Sequence, residues 1–182
     1  MIVLNTPDLS KRIQCSPLTQ KSRNLQLILG NLIFAAVCWL LMIILGIILY
    51  GNRMFTKDAM YLCINSIILT LNCLSISYLV GNLLRSRNAQ SAVTNVLTMG
   101  MCFIGGVFVP QELLGKTVLS ISRFTPIYWF VRANNEIISL GDFNSRNLIP
   151  ILQNMLIQLA FAAGILAAAL IILSRKRRYA AK

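Results

Sequence analysis

The stretch ILGNLIFAAVCWLLMIILGIILY occupies residues 28–50 and contains no charged side chain. The uncharged interval around it runs from Arg23 to Arg53, and a helix needs about 20 residues to cross the hydrocarbon core of a bilayer. Lipid offers no partner for backbone N–H and C=O groups, so a spanning segment must be a helix or part of a closed barrel. The stretch does not alternate between apolar and polar residues as a barrel strand does. We therefore predict a transmembrane helix.

Three more uncharged intervals follow along the chain, and each is long enough for another span. We place the predicted spans at 28–50, 59–81, 92–109 and 148–173. Hydrophobic residues make up 57% of the 182 residues and charged residues only 12%, against about 45–50% and about 25% in soluble domains. A chain with so few charges cannot form the charged surface of a soluble protein. The predicted fold class is an all-α integral membrane protein with four transmembrane helices.

The basic residues indicate how these helices are oriented. Most of the 17 basic residues lie before the first span, between the second and third spans, or in the tail. Cytoplasmic loops are enriched in Lys and Arg, so we predict that both termini are cytoplasmic. The chain then divides into a cytoplasmic segment (1–27), a transmembrane domain (28–173) and a basic cytoplasmic tail (174–182). We expect a multi-pass protein of the cell membrane, whose net charge of +12 reflects topology and attraction to anionic lipid rather than nucleic-acid binding.

The sequence lacks the motifs of catalysis and metal binding. It contains no His, which excludes His-dependent triads and two-His zinc motifs. Its five cysteines do not have the spacing of metal ligands. The tripeptide Gly115-Lys116-Thr117 resembles the end of a phosphate-binding loop, but Pro110 holds the position where that loop needs its first glycine. We therefore expect no enzyme activity in this chain, and no metal or cofactor bound by it.

The connection between the third and fourth spans is too long to be an ordinary loop. Segments 111–122 and 127–140 predict two helices, each too short to cross the bilayer. The residue before a proline avoids helical angles, so Phe124-Thr125-Pro126 bends the chain between them. We predict an outer re-entrant helical hairpin over 111–140, which needs protein or a cavity around it. The predicted gate residues are Gly105, Gly106, Phe108, Pro110, Glu112, Pro126, Tyr128 and Trp129.

Polar and small side chains follow single faces of the predicted spans. Asn65 and Asn72 share one face, and Ala160, Gly164 and Ala168 recur at every fourth position. Such faces hold helices together through hydrogen bonds and close approach, and we favour this packing role over the lining of a substrate path. No charged residue lies inside a predicted span. This disfavours ion-coupled transport, because intramembrane charges usually mark ion relays.

The segment before the first span has the pattern of a short surface helix. Ser16 suits an N-cap and Pro17 suits the first helical position. A basic helix within residues 9–24 would lie at the cytoplasmic surface. A solvated basic linker explains the same residues equally well on physical grounds, so both interpretations stay open at this point.

Two motifs occur in order along the chain. The first is Lys11-Arg12-Ile13 followed by Ser16-Pro17-Leu18, and the second runs from Gly105-Gly106 through Pro110 to Pro126-Ile127-Tyr128-Trp129. Together they resemble the signature of type-2 ABC exporter permeases, and the resemblance covers nearly the whole chain. It implies that the second motif forms the re-entrant gate. It also implies an N-terminal cytoplasmic coupling helix that contains Lys11, Arg12, Ser16, Pro17 and Leu18.

The resemblance implies a permease (membrane) subunit of an ATP-driven ABC exporter that moves a small or amphipathic substrate out of the cell. Its partners would be a cytoplasmic ABC ATPase subunit, which binds ATP and Mg, and a second permease subunit. The chain matches only spans three to six of the family, so we expect a separate chain that supplies the first two spans, or a truncated product.

Two other functions compete with the permease hypothesis. The alternative is a small four-span accessory or immunity membrane protein that binds a partner and transports nothing. A membrane-embedded enzyme is disfavoured by the absence of His and of intramembrane charge.

Overall fold

The chain folds into helices joined by short turns. The computed structural model describes residues 20–84, 86–140 and 145–180, and it contains no strand within them. This confirms the predicted all-helical fold. The helices, numbered in chain order, are α1 (Gln20–Tyr50), α2 (Lys57–Leu83), α3 (Arg87–Gly105), α4 (Lys116–Ser122), α5 (Pro126–Ser139) and α6 (Ser145–Ala180), and two 3₁₀ turns cover Gly51–Phe55 and Gln111–Leu113.

Three segments of the described chain are long and apolar enough to cross a membrane. They are Leu29–Phe55, Lys57–Leu83 and Asn147–Leu173, which belong to α1 with its following turn, to α2 and to α6. Helix α3 corresponds to the predicted span 92–109. Its 19 residues reach about 28 Å, but it is more polar than the other three, so the count of four spans stays a prediction.

Helix α2 lies at the centre of the packing and contacts both α5 and α6. The buried apolar cluster between these helices consists of Ile68 from α2, Ile137 from α5, and Ile151 and Met155 from α6. In contrast, no described side chain of α1 is buried. The outward surfaces of α1 and α6 carry exposed Leu, Ile and Phe side chains, as expected of helices that face lipid.

The first half of the outer hairpin differs from its prediction. The sequence predicts one helix over 111–122, whereas the structure has a 3₁₀ turn and then the short helix α4. Leu114 and Gly115 separate them in extended conformations, with ψ angles of 134° and 150°. The second half follows its prediction more closely. Helix α5 begins at Pro126, and Thr125 before it is extended, as the residue before a proline prefers to be.

A single amide side chain closes the turn between α2 and α3. Gln90 is buried, and its Nε2 donates hydrogen bonds to the backbone oxygens of Leu84 (2.6 Å) and Gly81 (3.4 Å). The last carbonyls of a helix have no partner within the helix, so a side chain that reaches them stabilises the helix end. Gln90 therefore fixes the direction in which α3 leaves α2.

Replacing Gln90 with leucine tests this role. The change leaves two half-buried carbonyl oxygens without this donor, and we expect a loss of about 0.5–1.5 kcal/mol in the free energy of unfolding. The measurement is the midpoint of thermal unfolding of the purified protein in detergent. Asn88→Leu, at an exposed position in the first turn of α3, is the matched control. Equal midpoints for the two variants would contradict the role given to Gln90.

Candidate functional site

Two adjacent glycines end α3 and allow α5 to approach it. A Cβ atom on Gly105 would lie 2.7 Å from Ile127 Cγ2 and 3.4 Å from the backbone nitrogen of Tyr128. Gly106 has a φ angle of +97°, in the left-handed region that other residues adopt at a cost. The N–H of Val107 then donates to the oxygen of Cys102 at 3.1 Å, which is the bond pattern of a glycine-terminated helix.

The side chain of Gln111 joins the end of α3 to the start of α5. Its Nε2 donates to the backbone oxygens of Gly105 (2.9 Å) and Tyr128 (3.0 Å). A Cβ on Gly106 would collide with this same side chain, so the second glycine makes room for the amide. We call this arrangement the Gln111 clamp. The sequence analysis did not single out Gln111, although it directly follows the motif residue Pro110.

The other predicted gate residues fall into two groups. Pro126 and Tyr128 are buried at the start of α5, close to the Gln111 clamp. Phe108, Pro110 and Glu112 are exposed, and Phe108 packs against Phe103 with ring centroids 4.9 Å apart. The structure therefore brings together the glycines, Pro126 and Tyr128, and it leaves three of the predicted residues on the outer surface of the hairpin.

Trp129 connects α5 to the residues just before it. Its Nε1 donates to the backbone oxygen of Arg123 at 2.9 Å. Its ring lies edge-to-face against Tyr128, with centroids 5.2 Å apart, and the guanidinium of Arg132 lies 5.9 Å from the ring centroid. The Trp129–Arg123 bond spans Pro126 and so holds the bend that precedes α5. The contacts of the Trp129 ring with Tyr128 and Arg132 hold the first turns of α5 itself.

An ion pair within α5 also accepts a hydrogen bond from α6. Arg132 Nε donates to Glu136 Oε1 at 3.1 Å, and Asn154 Nδ2 donates to Glu136 Oε2 at 2.7 Å. The hydrogen bond to Glu136 is the largest cause of the raised pKa of Arg132. The carboxylate of Glu136 thus accepts a bond from a cation on its own helix and from an amide on the neighbouring helix.

A network of buried amides joins α2, α5 and α6. Asn65 Nδ2 donates to Asn134 Oδ1 (2.8 Å) and to the backbone oxygen of Phe130 (3.1 Å). Gln158 Nε2 in turn donates to Asn65 Oδ1 at 2.8 Å. Asn72 Nδ2 donates to the backbone oxygens of Gln158 (3.1 Å) and Ile68 (3.0 Å). Asn65, Asn72 and Gln158 are fully buried. We call these bonds the amide network.

The amide network leaves two buried acceptors unpaired. Asn72 Oδ1 and Gln158 Oε1 have no hydrogen-bond partner. Exchanging the oxygen and nitrogen positions of either amide would not satisfy these oxygens, because each nitrogen already donates to two oxygen acceptors. The two residues therefore differ in what their loss would cost. Asn72 donates only to backbone carbonyls, whereas Gln158 supplies the donor that Asn65 Oδ1 needs.

A comparison of the sequence with known families identifies the chain. The sequence model of the family described as ABC-2 family transporter protein matches residues 11–171. The chain belongs to the ABC-2 transporter membrane family. No curated protein and no solved structure shows significant similarity to it.

Membership of the ABC-2 family points to a membrane transport subunit rather than a catalytic one. The match includes the amide network, the Gln111 clamp and all of the outer hairpin. Within the described residues, no group of acidic or sulfur-containing side chains is arranged to hold a metal ion.

The described structure does not test two sets of predicted residues. The coupling-helix residues Lys11, Arg12, Ser16, Pro17 and Leu18 lie outside the residues that it describes. Ala160, Gly164 and Ala168 are exposed, and a Cβ on Gly164 would meet nothing within 4 Å. The buried face of α6 instead contains Ala162 and Ala169. The small-residue face is thus not used between the described helices of one chain, and its packing role stays a prediction.

The amide network predicts unequal effects for two substitutions of the same kind. Asn65→Leu would remove the donor to Asn134 Oδ1 and would leave the Gln158 nitrogen with only its 3.5 Å bond to the Asn154 oxygen, so we expect a loss of about 1–3 kcal/mol in stability. Asn72→Leu removes an unpaired oxygen, and the carbonyls it contacts keep their helical partners, so we expect a change within about 0.5 kcal/mol. Unfolding midpoints in detergent measure both, and a greater loss for Asn72→Leu would contradict the network as described.

The glycines allow a second matched comparison. Gly106→Ala forces an alanine into the left-handed region, at roughly 1–2 kcal/mol, and pushes against Gln111 as well. Gly164→Ala adds a methyl group in open space on a helix, where alanine is better by about 1 kcal/mol. We expect the first change to lower the unfolding midpoint and the second to leave it unchanged or raise it. The same response from both variants would show that the end of α3 is not constrained as described.

Proposed function

We propose that the chain is the membrane subunit of an ATP-driven ABC exporter for a small or amphipathic substrate. The observation that carries the proposal is the family match over residues 11–171. The proposed partners are a cytoplasmic ABC ATPase subunit, which binds ATP and Mg, and a second permease subunit. Both termini would lie in the cytoplasm, where the segment around Pro17 would meet the ATPase.

The distribution of charged residues supports an energy source that lies on a partner and not in this chain. The spans Leu29–Phe55 and Lys57–Leu83 carry charged residues only near their outer ends, and Asn147–Leu173 carries none. Ion-driven transporters rely on ionisable side chains within the membrane. A transport subunit without them needs another source of free energy, and ATP hydrolysis on a partner supplies it.

The packing supports a division of the chain into a rigid unit and a movable helix. The amide network ties α5 to α2 and α6, and the Gln111 clamp ties the end of α3 to α5. Helix α1 follows the proposed coupling segment and has no buried side chain among its described residues. A push on that segment would therefore shift α1 against α2, while the outer hairpin moves together with the helices that hold it.

The test of this function is assembly with an ATPase. The tagged chain is co-expressed with ABC ATPase subunits encoded beside its gene, extracted gently and assayed for co-purification and ATP turnover. We expect a stable complex with ATPase activity. An intact membrane-inserted chain that forms no such complex would contradict the permease proposal and favour the accessory or immunity function.

The coupling segment is tested by a pair of charge substitutions. Pro17→Asp with Leu18→Asp should abolish ATPase association without preventing membrane insertion, because acidic residues would disrupt an apolar contact with the partner. Tyr179→Asp with Ala180→Asp makes the same change in charge in the proposed cytoplasmic tail and should leave association intact. Survival of the complex in the first variant would show that this segment is not the ATPase contact.

A further inference from the structure

Helices α1 and α2, together with the start of α3, enclose a large cleft that the proposed function does not use. Its volume is about 1380 Å³, above the range of about 300–1,000 Å³ typical of sites for drug-sized molecules. Phe34 and Met42 from α1 and Leu69 from α2 form part of its apolar walls. Trp39 Nε1 donates to Ser66 Oγ at 2.9 Å and links the two helices across it.

The predicted outer end of the cleft carries one cation and one anion. Arg53 and Asp58 both line it. They do not pair with each other, and neither belongs to the ion pair found within the described residues, which is Arg132–Glu136. An unpaired cation and an unpaired anion at one site match a ligand headgroup that carries both charges.

The depth of the cleft matches the thickness of a membrane. Its α1 side extends from Asn31 to Tyr50, which is about 28 Å along the helix axis. Trp39 lies about 16 Å from Tyr50 on the same scale, near the middle of the hydrocarbon core. A headgroup at Arg53 would therefore place its acyl chains along the cleft, with their ends near Trp39.

We propose that the outer half of this cleft binds one zwitterionic bilayer lipid. Its phosphate faces Arg53, its ammonium group faces Asp58, and its acyl chains lie between α1 and α2. The lipid fills the space that α1 needs in order to move against α2. This site goes beyond the proposed transport function, because the lipid is a bound component of the fold and not the exported substrate.

The charges at the cleft favour this occupant over two others. A lipid with a purely anionic headgroup would neutralise Arg53 but would place a second negative charge beside Asp58. A transmembrane helix of a partner protein would fill the apolar walls, but its apolar surface would leave both charges unpaired. A headgroup with phosphate and ammonium groups satisfies both side chains at once.

The two tryptophans of the chain, Trp39 and Trp129, allow a direct test. The variant Trp129→Phe keeps Trp39 as its one tryptophan, and thermal unfolding checks that it folds. It is reconstituted in vesicles that contain equal small fractions of either phosphatidylethanolamine or phosphatidylglycerol with brominated acyl-chain ends. Bromine quenches tryptophan at short range. We expect stronger quenching by the phosphatidylethanolamine, with the few-fold preference typical of solvent-exposed charge pairs.

The charge substitutions are made in the same Trp129→Phe chain. Asp58→Asn and Arg53→Gln should each reduce the preference, and together they should abolish it. Lys57→Gln is the matched control, because Lys57 is exposed and does not line the cleft, and it should retain the preference. Equal quenching of Trp39 by the two lipids, in the chain that keeps both Arg53 and Asp58, means that bulk lipid fills the cleft. This result overturns the proposal. Absence of quenching means that protein fills it, and this overturns the proposal as well.

A second measurement uses the chain with both tryptophans. Mass spectrometry of the gently extracted protein should detect co-purified phosphatidylethanolamine, enriched over its share of the membrane lipid. The enrichment should fall in Arg53→Gln with Asp58→Asn and persist in Lys57→Gln. An enrichment that does not respond to the double substitution would overturn the proposed headgroup contacts. Neither readout depends on an ATPase, so failure of the lipid site and failure of the transport proposal are distinguishable.

Discussion

Amide groups buried away from water must find partners inside the protein, and this requirement organises the structure. Apolar side chains give helices in lipid little reason to associate, because lipid tails are equally apolar. Asn65, Asn134 and Gln158 supply directional bonds in their place, and these bonds join α2, α5 and α6. The outer hairpin is attached to the membrane helices through this network, and α3 is attached to the hairpin by Gln111.

The sequence allowed the helices to be predicted better than their contacts. Charge-free intervals identify helices because ionised side chains are excluded from the hydrocarbon core. They do not show which face of an apolar helix is buried within the chain: on α6 that face contains Ala162 and Ala169, whereas the stripe at Gly164 is exposed. The bonds of Gln111 depend on the close approach of α3 and α5, which its own position in the sequence does not indicate.

The same bonds suggest how a permease subunit of this size would move. Four helices are joined by buried or half-buried amides, whereas α1 is linked to α2 by the Trp39–Ser66 bond, and Met54 in the turn that follows α1 packs on Gly46. A cleft separates α1 from α2 over most of their length. We therefore infer that the hairpin and its supporting helices form one rigid unit, and that α1 moves against this unit.

Spin-label distances within the complex of the chain and its ATPase test this claim most directly. Labels at Ile138 on α5 and Leu156 on α6, both exposed, report on the rigid unit, and a label at Ile48 paired with Leu156 reports on α1. The native cysteines are replaced first. We predict that adding ATP changes the Ile48–Leu156 distance and leaves the Ile138–Leu156 distance unchanged. An equal change in both distances would contradict the rigid unit and the role given to the amide network.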